Sequence, residues 1–247
     1  MMHELFNKYF ETRAKYMYRL EKLEEGYLSK YYQMKDHIAD YLPKNKKAKI
    51  LVLGSGLGHE VWALNRIGYS NVLGVDIDAE QIEIAKSRGI NCLHADALEF
   101  LKKTQETYDA ILAFNFIEHF DLENALKLCK LCYLRLSKGG ILILLTPNAA
   151  NPLAIRNIYG DLTHRMGAFT ETSIVQLLNL AGFNRIIVRN VKPFGRYDHR
   201  ITKKVLKIIG TMVVHITWQL IRLIYLLNGV KAPKVVSNDL LSIAYKD

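Results

Sequence analysis

Five short runs in this chain are apolar on both faces: KILVLG (49–54), NVLGVD (71–76), INCLHAD (90–96), YDAILAFN (108–115) and GGILILLTPN (139–148). A half-exposed strand alternates apolar and polar residues, so a run without alternation needs a cover on each side. Amphipathic stretches near 58–68, 78–88, 96–104, 121–136 and 171–181 lie between or after the runs and can supply those covers. The alternation predicts an α/β fold, a doubly wound and mostly parallel sheet with helices on both faces. Two later strands, NRIIVRNV (184–191) and NDLLSIAYKD (238–247), bring the count to seven.

Two segments fall outside that rhythm. Residues 3–42 read as helix, closed by Pro43 and the polar run 44–49, with Gly26 offering a break between two helices. The region is rich in tyrosine (Tyr9, Tyr16, Tyr18, Tyr27, Tyr31, Tyr32, Tyr41). The second segment, 195–236, separates the last two strands. From Ile201 to Asn228 its polar positions Lys204, Lys207, Thr211, His215, Gln219 and Arg222 step by three or four, a narrow stripe on an otherwise apolar helix. The stripe interrupts the run too often for a spanning segment. The expected organisation is therefore an N-terminal helical cap (1–48), an α/β domain (49–194 and 237–247) and a helical insertion (195–236).

The 247 residues are long enough to bury a sizeable core, and 23% charged with 50% hydrophobic residues is a globular composition. The net charge of +10 is uneven: from Lys192 to Lys234 there are nine Lys or Arg and one acid, Asp198, which leaves the rest near neutrality. Taken as charge alone this is a solvated flank, and no basic-aromatic nucleic-acid module accompanies it. Cys129 and Cys132 lie on one apolar helical face and read as buried core thiols. The odd count with Cys92, and no signal peptide, point to a reducing cytoplasm.

The segment that carries chemistry is ILVLGSGLGHE (50–60), in which a strand runs into Gly54-Ser55-Gly56-Leu57-Gly58 and then opens a helix. Glycines serve where a turn is tight and a ligand must touch the backbone. A dinucleotide fingerprint would place its third glycine at His59, so this spacing disfavours NAD or FAD. Asp76, 18 residues after Gly58, ends the second strand, where its oxygens can accept from ribose hydroxyls of a nucleoside lying over the loop.

This G-x-G-x-G loop, with Asp76, Asp96 in LHADAL, YDAILAFNFIEHF and LSKGGILILLTPN in that order, resembles the class I S-adenosylmethionine (SAM)-dependent methyltransferases. The resemblance implies a Rossmann-like seven-stranded sheet in the order 3-2-1-4-5-7-6 with the final strand antiparallel. It implies SAM as cofactor, held by Gly54, Ser55, Gly56, Gly58, Asp76, Ile77, Asp96, Ala97 and Asn115, with Asp76 on the ribose and Asp96 at the adenine amino group.

Two histidines are candidates for the acceptor-side base, His119 after the fourth strand and His164 in DLTH after the fifth. The stretch 146–183 resembles bacterial methyltransferases of cell-surface polysaccharide and lipopolysaccharide assembly, which implies O-methylation of a sugar or sugar-linked group, a small-molecule or glycan substrate. Two alternatives stay open: N-methylation of a small amine such as phosphoethanolamine, with the tyrosines as a cation-binding lid, and a non-catalytic SAM-binding scaffold. Asn115, Glu118 and His119 also resemble the E-x-x-E-H metal element of ubiquinone-pathway O-methyltransferases. Asn115 stands where that element has its first acid, so no metal is expected. The 201–228 helix is expected to pack on the N-terminal helices or on a second copy in a homodimer, with peripheral membrane contact as the remaining option and a membrane-associated cytoplasmic location as its corollary.

Overall fold

The computed structural model describes residues 23–164, 168–191 and 201–247. The seven strands are β1 (Lys49–Leu53), β2 (Asn71–Asp76), β3 (Cys92–His94), β4 (Tyr108–Phe114), β5 (Leu136–Pro147), β6 (Arg185–Asn190) and β7 (Asp239–Tyr245). They form one sheet in the order β3-β2-β1-β4-β5-β7-β6. β1 to β5 are parallel, and β7 runs antiparallel between β5 and β6. Order and direction are those implied by the sequence resemblance.

The doubly apolar runs have a direct structural cause. Along β1, Ile50 and Val52 enter one core layer while Leu51 and Leu53 enter the other. The first layer is closed by α1 (Leu23–His37), α2 (His59–Ile67) and α3 (Ala79–Ser87), the second by α4 (Ala97–Lys103), α5 (Leu122–Arg135) and α7 (Glu171–Leu180). A short helix, α6 (Ile155–Tyr159), follows β5. The helices begin where the sequence supplies caps: Asp78 accepts from Gln81 N, Asp96 from Glu99 N, Asp121 from Asn124 N, and Thr170 forms a capping box with Ser173. Cys129 and Cys132 are buried in the second layer, where burial pushes the Cys129 thiol up to about 12.

Three details depart from the sequence reading. β5 starts at Leu136, upstream of the Gly-Gly pair, because the chain enters the sheet through a register irregularity opposite Tyr108 and Ala110. Helix α1 passes unbroken through Gly26, whose missing side chain makes room for His59 Nε2, 2.9 Å from where a Cβ would stand. Residues 1–22, with Tyr9, Tyr16 and Tyr18, lie outside the described residues.

The third is α8 (Ile201–Leu227), a single 27-residue helix whose apolar face the described residues leave largely uncovered; of the covers expected for it, the N-terminal helices lie outside the described residues as far as residue 22, and a second copy is not part of the structure. Of its described side chains only Ile221 is buried, with Val214, Thr217, Trp218, Arg222 and Tyr225 half-buried. The opposite face, from Ile208 to Leu227, is exposed. Tyr225 Oη donates to the Ala150 carbonyl and Arg222 to the Lys234 carbonyl, both from the last two turns of the helix.

Candidate active site

The strand order reverses direction between β1 and β4, which is where doubly wound sheets open a crevice at their carboxyl ends. A cavity of about 680 Å³ occupies that position, in the range of small-molecule sites. The glycine loop forms one wall. Gly54, Gly56 and Gly58 have φ of 67°, 48° and 79°, the left-handed region that favours glycine. A Cβ on Gly54 would stand 2.3 Å from the Phe116 ring, so this position has no space for a side chain.

The loop is tied down by its own N–H groups. Gly54 N and Ser55 N donate to the Val75 carbonyl, Gly58 N to the Ser55 carbonyl, and Gly56 N to Asp76 Oδ2 at 2.8 Å. A phosphate cradle depends on free N–H groups. With these four spent, the loop offers a ligand carbonyl edges and close backbone approach instead.

Asp76 ends β2 with Oδ2 on Gly56 N and Oδ1 on Asp78 N at 2.9 Å. Each oxygen keeps a second lone pair for a ligand donor. Burial pushes this carboxyl up to about 6, against the pull of the backbone donors of Asp78, Gly56 and Ile77. Ile77, Asp96 and Ala97 continue the wall, with Asp96 exposed and one oxygen on Glu99 N. Asn115 closes the end of β4 at φ 48°, a left-handed conformation that asparagine tolerates better than most residues. Of the residues expected around a cofactor, Gly58 alone does not line the cavity. Its open side faces Ile90, 2.8 Å from a would-be Cβ, and it starts α2 in the core.

The far wall brings the two candidate histidines together. Their ring centroids are 4.7 Å apart at 66°, and both line the cavity. Thr163 Oγ1 donates to Asp161 Oδ1 at 2.6 Å and lies 2.8 Å from His119 Nδ1. The His119 ring is also held against backbone of Asn115 and Thr163, and burial, then the neighbouring His164, pull it down to about 4. His164 is held differently. Its Nδ1 is 2.9 Å from the Ile158 carbonyl, which can only accept, so a neutral His164 carries its lone pair at Nε2.

Glu118 lies beside this pair, fully buried, its Oε2 accepting from Thr146 Oγ1 and its Oε1 without a partner among the described residues. Burial pushes it up to about 8, so it is protonated at neutral pH. The nearest ligand atoms of Glu118, His119 and His164 lie within 4.8 Å of one another, a juxtaposition the sequence reading did not foresee when it set metals aside.

Sequence reasoning missed other lining residues. Asp239, opposite Pro147 at the start of β7, faces the cavity, and burial raises its carboxyl to about 6. An antiparallel last strand begins where its parallel neighbours end, so its first residue was legible as a rim residue once the topology was assumed. Gly26, Ser29, Lys30 and Gln33 of α1 form the roof, with Lys30 paired to Glu60 at 2.8 Å. Tyr27 anchors that roof by donating to the Leu57 carbonyl at 2.7 Å. None of the described tyrosines of this region lines the cavity.

Comparison with known proteins agrees with this geometry. The chain is 32% identical over 104 residues to phosphoethanolamine N-methyltransferase of Plasmodium falciparum, a match covering 40% of this chain and 39% of that protein. Among solved structures, a SAM-dependent methyltransferase of Archaeoglobus fulgidus superposes with a TM-score of 0.61 at 21% identity, over 87% of this chain and 94% of that one. A possible histamine N-methyltransferase of Thermotoga maritima gives 0.62 at 17% identity over all of both chains. Magnesium protoporphyrin IX methyltransferase of Synechocystis, with bound S-adenosylhomocysteine, gives 0.57 at 15% identity over 99% and 97%. The model of one family, described as a methyltransferase domain, matches residues 26–187, and since that is more than half of the chain, the chain belongs to the methyltransferase-domain family.

Proposed function

We propose that this chain transfers the methyl group of SAM to a hydroxyl of a sugar or sugar-linked group, with His164 taking the hydroxyl proton. One observation carries the reading: a histidine whose Nδ1 is committed to a carbonyl presents an accepting Nε2 in the same cavity as the glycine loop and Asp76. SAM, when bound, supplies a methyl carbon on a sulfonium that is already a good leaving group. The protein is left with alignment, exclusion of water and proton removal.

The residues present fit that cofactor. The spare lone pairs of Asp76 suit two ribose hydroxyls, and the free oxygen of Asp96 suits an adenine amino group. The carbonyl edges at Gly54 and Gly56 suit an ammonium better than a phosphate, which favours a methionine tail over a pyrophosphate. His119, held by Thr163, packs edge-on against His164 and positions it. The glycan acceptor is supported by the likeness of 146–183 to surface-polysaccharide methyltransferases.

A second reading, N-methylation of a small amine, is favoured by the match to the Plasmodium protein and by the carboxyls of Asp161 and Asp239 facing the cavity. Intact-mass detection of a methylated product separates the two when purified protein and SAM are offered nucleotide sugars, lipid-linked glycans and phosphoethanolamine. A methylated glycan that disappears in His164→Ala supports the first. Methylation of the amine alone overturns it, and SAM binding without turnover on any acceptor points to a scaffold.

A further inference from the structure

Helix α8 is the largest feature that methyl transfer does not use. Its 20 residues from Ile208 to Leu227 have a mean hydropathy of 1.4, yet only 6% of the apolar window is buried. Ile208, Met212, Ile216, Leu220, Leu223 and Leu227 step by three or four and are all exposed, forming one stripe. That stripe lies across the helix from Val214, Ile221 and Tyr225, the side that rests on the domain. At 1.5 Å per residue the 20 residues from Ile208 to Leu227 span roughly 30 Å, so their exposed stripe is at or above the size of the largest apolar patch that soluble monomers leave uncovered.

A second set of exposed apolar residues lies in the segment that leads to His164. The segment between β5 and His164 exposes Leu153 (62%), Ile155 (55%), Tyr159 (80%) and Leu162 (83%). It is joined to α8 through the bond from Tyr225 Oη to the Ala150 carbonyl. The same segment carries the Ile158 carbonyl that holds His164 Nδ1.

Charge selects the occupant. From His199 to Asn238 the sequence holds seven Lys or Arg and no Asp or Glu, with Lys203, Lys204 and Lys207 in the first two turns of α8 and Lys231 and Lys234 just beyond its end. Two copies packed along this helix would bring two such sets together with no acid to pair them. An anionic lipid surface accommodates both properties, taking the stripe among its acyl chains and the lysines at its headgroups. The helix is held in the plane of that surface. Crossing it would drag the bonded Ala150 and Lys234 backbones into hydrocarbon, where irregular backbone is not tolerated.

We propose that α8 and the 152–162 segment form a membrane-docking face, so that the active site meets its acceptor at the surface of an anionic bilayer. The docking does not depend on which acceptor atom is methylated.

The test is flotation of the full chain with phosphatidylcholine vesicles prepared with and without phosphatidylglycerol. Wild-type protein should float with the anionic vesicles and be released by salt. The double variant Ile216→Glu/Leu220→Glu should lose vesicle affinity by on the order of 100-fold while its melting temperature and SAM binding stay unchanged. Lys231→Glu/Lys234→Glu, which leaves the helix itself intact, should weaken binding to anionic vesicles by roughly tenfold or more. Wild-type protein that ignores both kinds of vesicle overturns the proposal, as does flotation that both double variants retain. A dimer that does not float, and that the Ile216→Glu/Leu220→Glu variant converts to monomer, assigns the face to a second copy instead.

Discussion

The two walls of the cavity are built on different principles. On the glycine-loop side, the working parts are backbone: three positive-φ glycines, four N–H groups spent on holding the turn, and one carboxylate at a strand end. On the histidine side they are side chains brought from three places, 115–119, 161–164 and 239, braced by a hydroxyl between two distant segments. A wall made of backbone can be reused for one cofactor whatever the acceptor, because its geometry follows from the turn. A wall made of converging side chains changes with single substitutions, which is where acceptor choice can vary.

Damage to the second wall should affect turnover and leave cofactor binding alone. The largest expected effect is His164→Ala, which should lower kcat by about 10²–10⁴ with SAM affinity nearly intact by calorimetry. A variant that keeps more than roughly half the wild-type rate on the true acceptor would remove His164 from the chemistry.

Damage to the first wall should do the reverse. Asp76→Asn keeps an acceptor for one of its two backbone donors, turns an NH2 toward the other and loses charge-assisted bonds to the ribose, each worth roughly 1.5–3 kcal/mol, so SAM should bind tenfold or more weakly. Its affinity should also fall as pH drops through about 6 in the wild type, since protonation of Asp76 removes the charge, and this dependence should be absent from the variant.

Two smaller effects sharpen the picture of the histidine wall. Thr163→Val removes the hydroxyl between Asp161 and His119, and should lower kcat by about tenfold without raising KM. Because it acts through positioning, the pH profile of kcat should move with it, which a simple loss of folded protein would not produce.

Glu118 should show itself in stability. Its carboxyl is raised from 4.5 to about 8 in the folded chain, so between those values the native state holds a proton that the unfolded chain has lost. Stability therefore falls as pH rises through that window. Glu118→Gln should flatten the slope and make the protein more stable than wild type above pH 8, by on the order of 1–3 kcal/mol in chemical denaturation. Between about 4 and 6, in both proteins, the decline from Asp76 and Asp239, whose carboxyls are raised to about 6, is opposed by the rise from His59 and His119, which are lowered to about 4.

The strands, helices and glycine loop were legible in the residues because each rests on a local rule. A run apolar on both faces must be a covered strand, as the split of Ile50 and Val52 from Leu51 and Leu53 demonstrates. Asp78, Asp96, Asp121 and Thr170 mark helix starts by the same local logic.

The sequence by itself thus determined the sheet, the loop and the acid that ties them, since periodicity, φ preference and capping act within a few residues. The tertiary structure decided the rest. It made Gly58 a packing residue and brought Asp239 to the rim. It separated two equivalent candidates by giving His119 a neighbour 44 positions away and His164 a carbonyl acceptor. It also left the stripe of α8 uncovered by the described residues, although the stripe's composition reads like a core. Hydrogen-bond partners and burial depend on segments far apart in the chain, and no local pattern records which of them will meet.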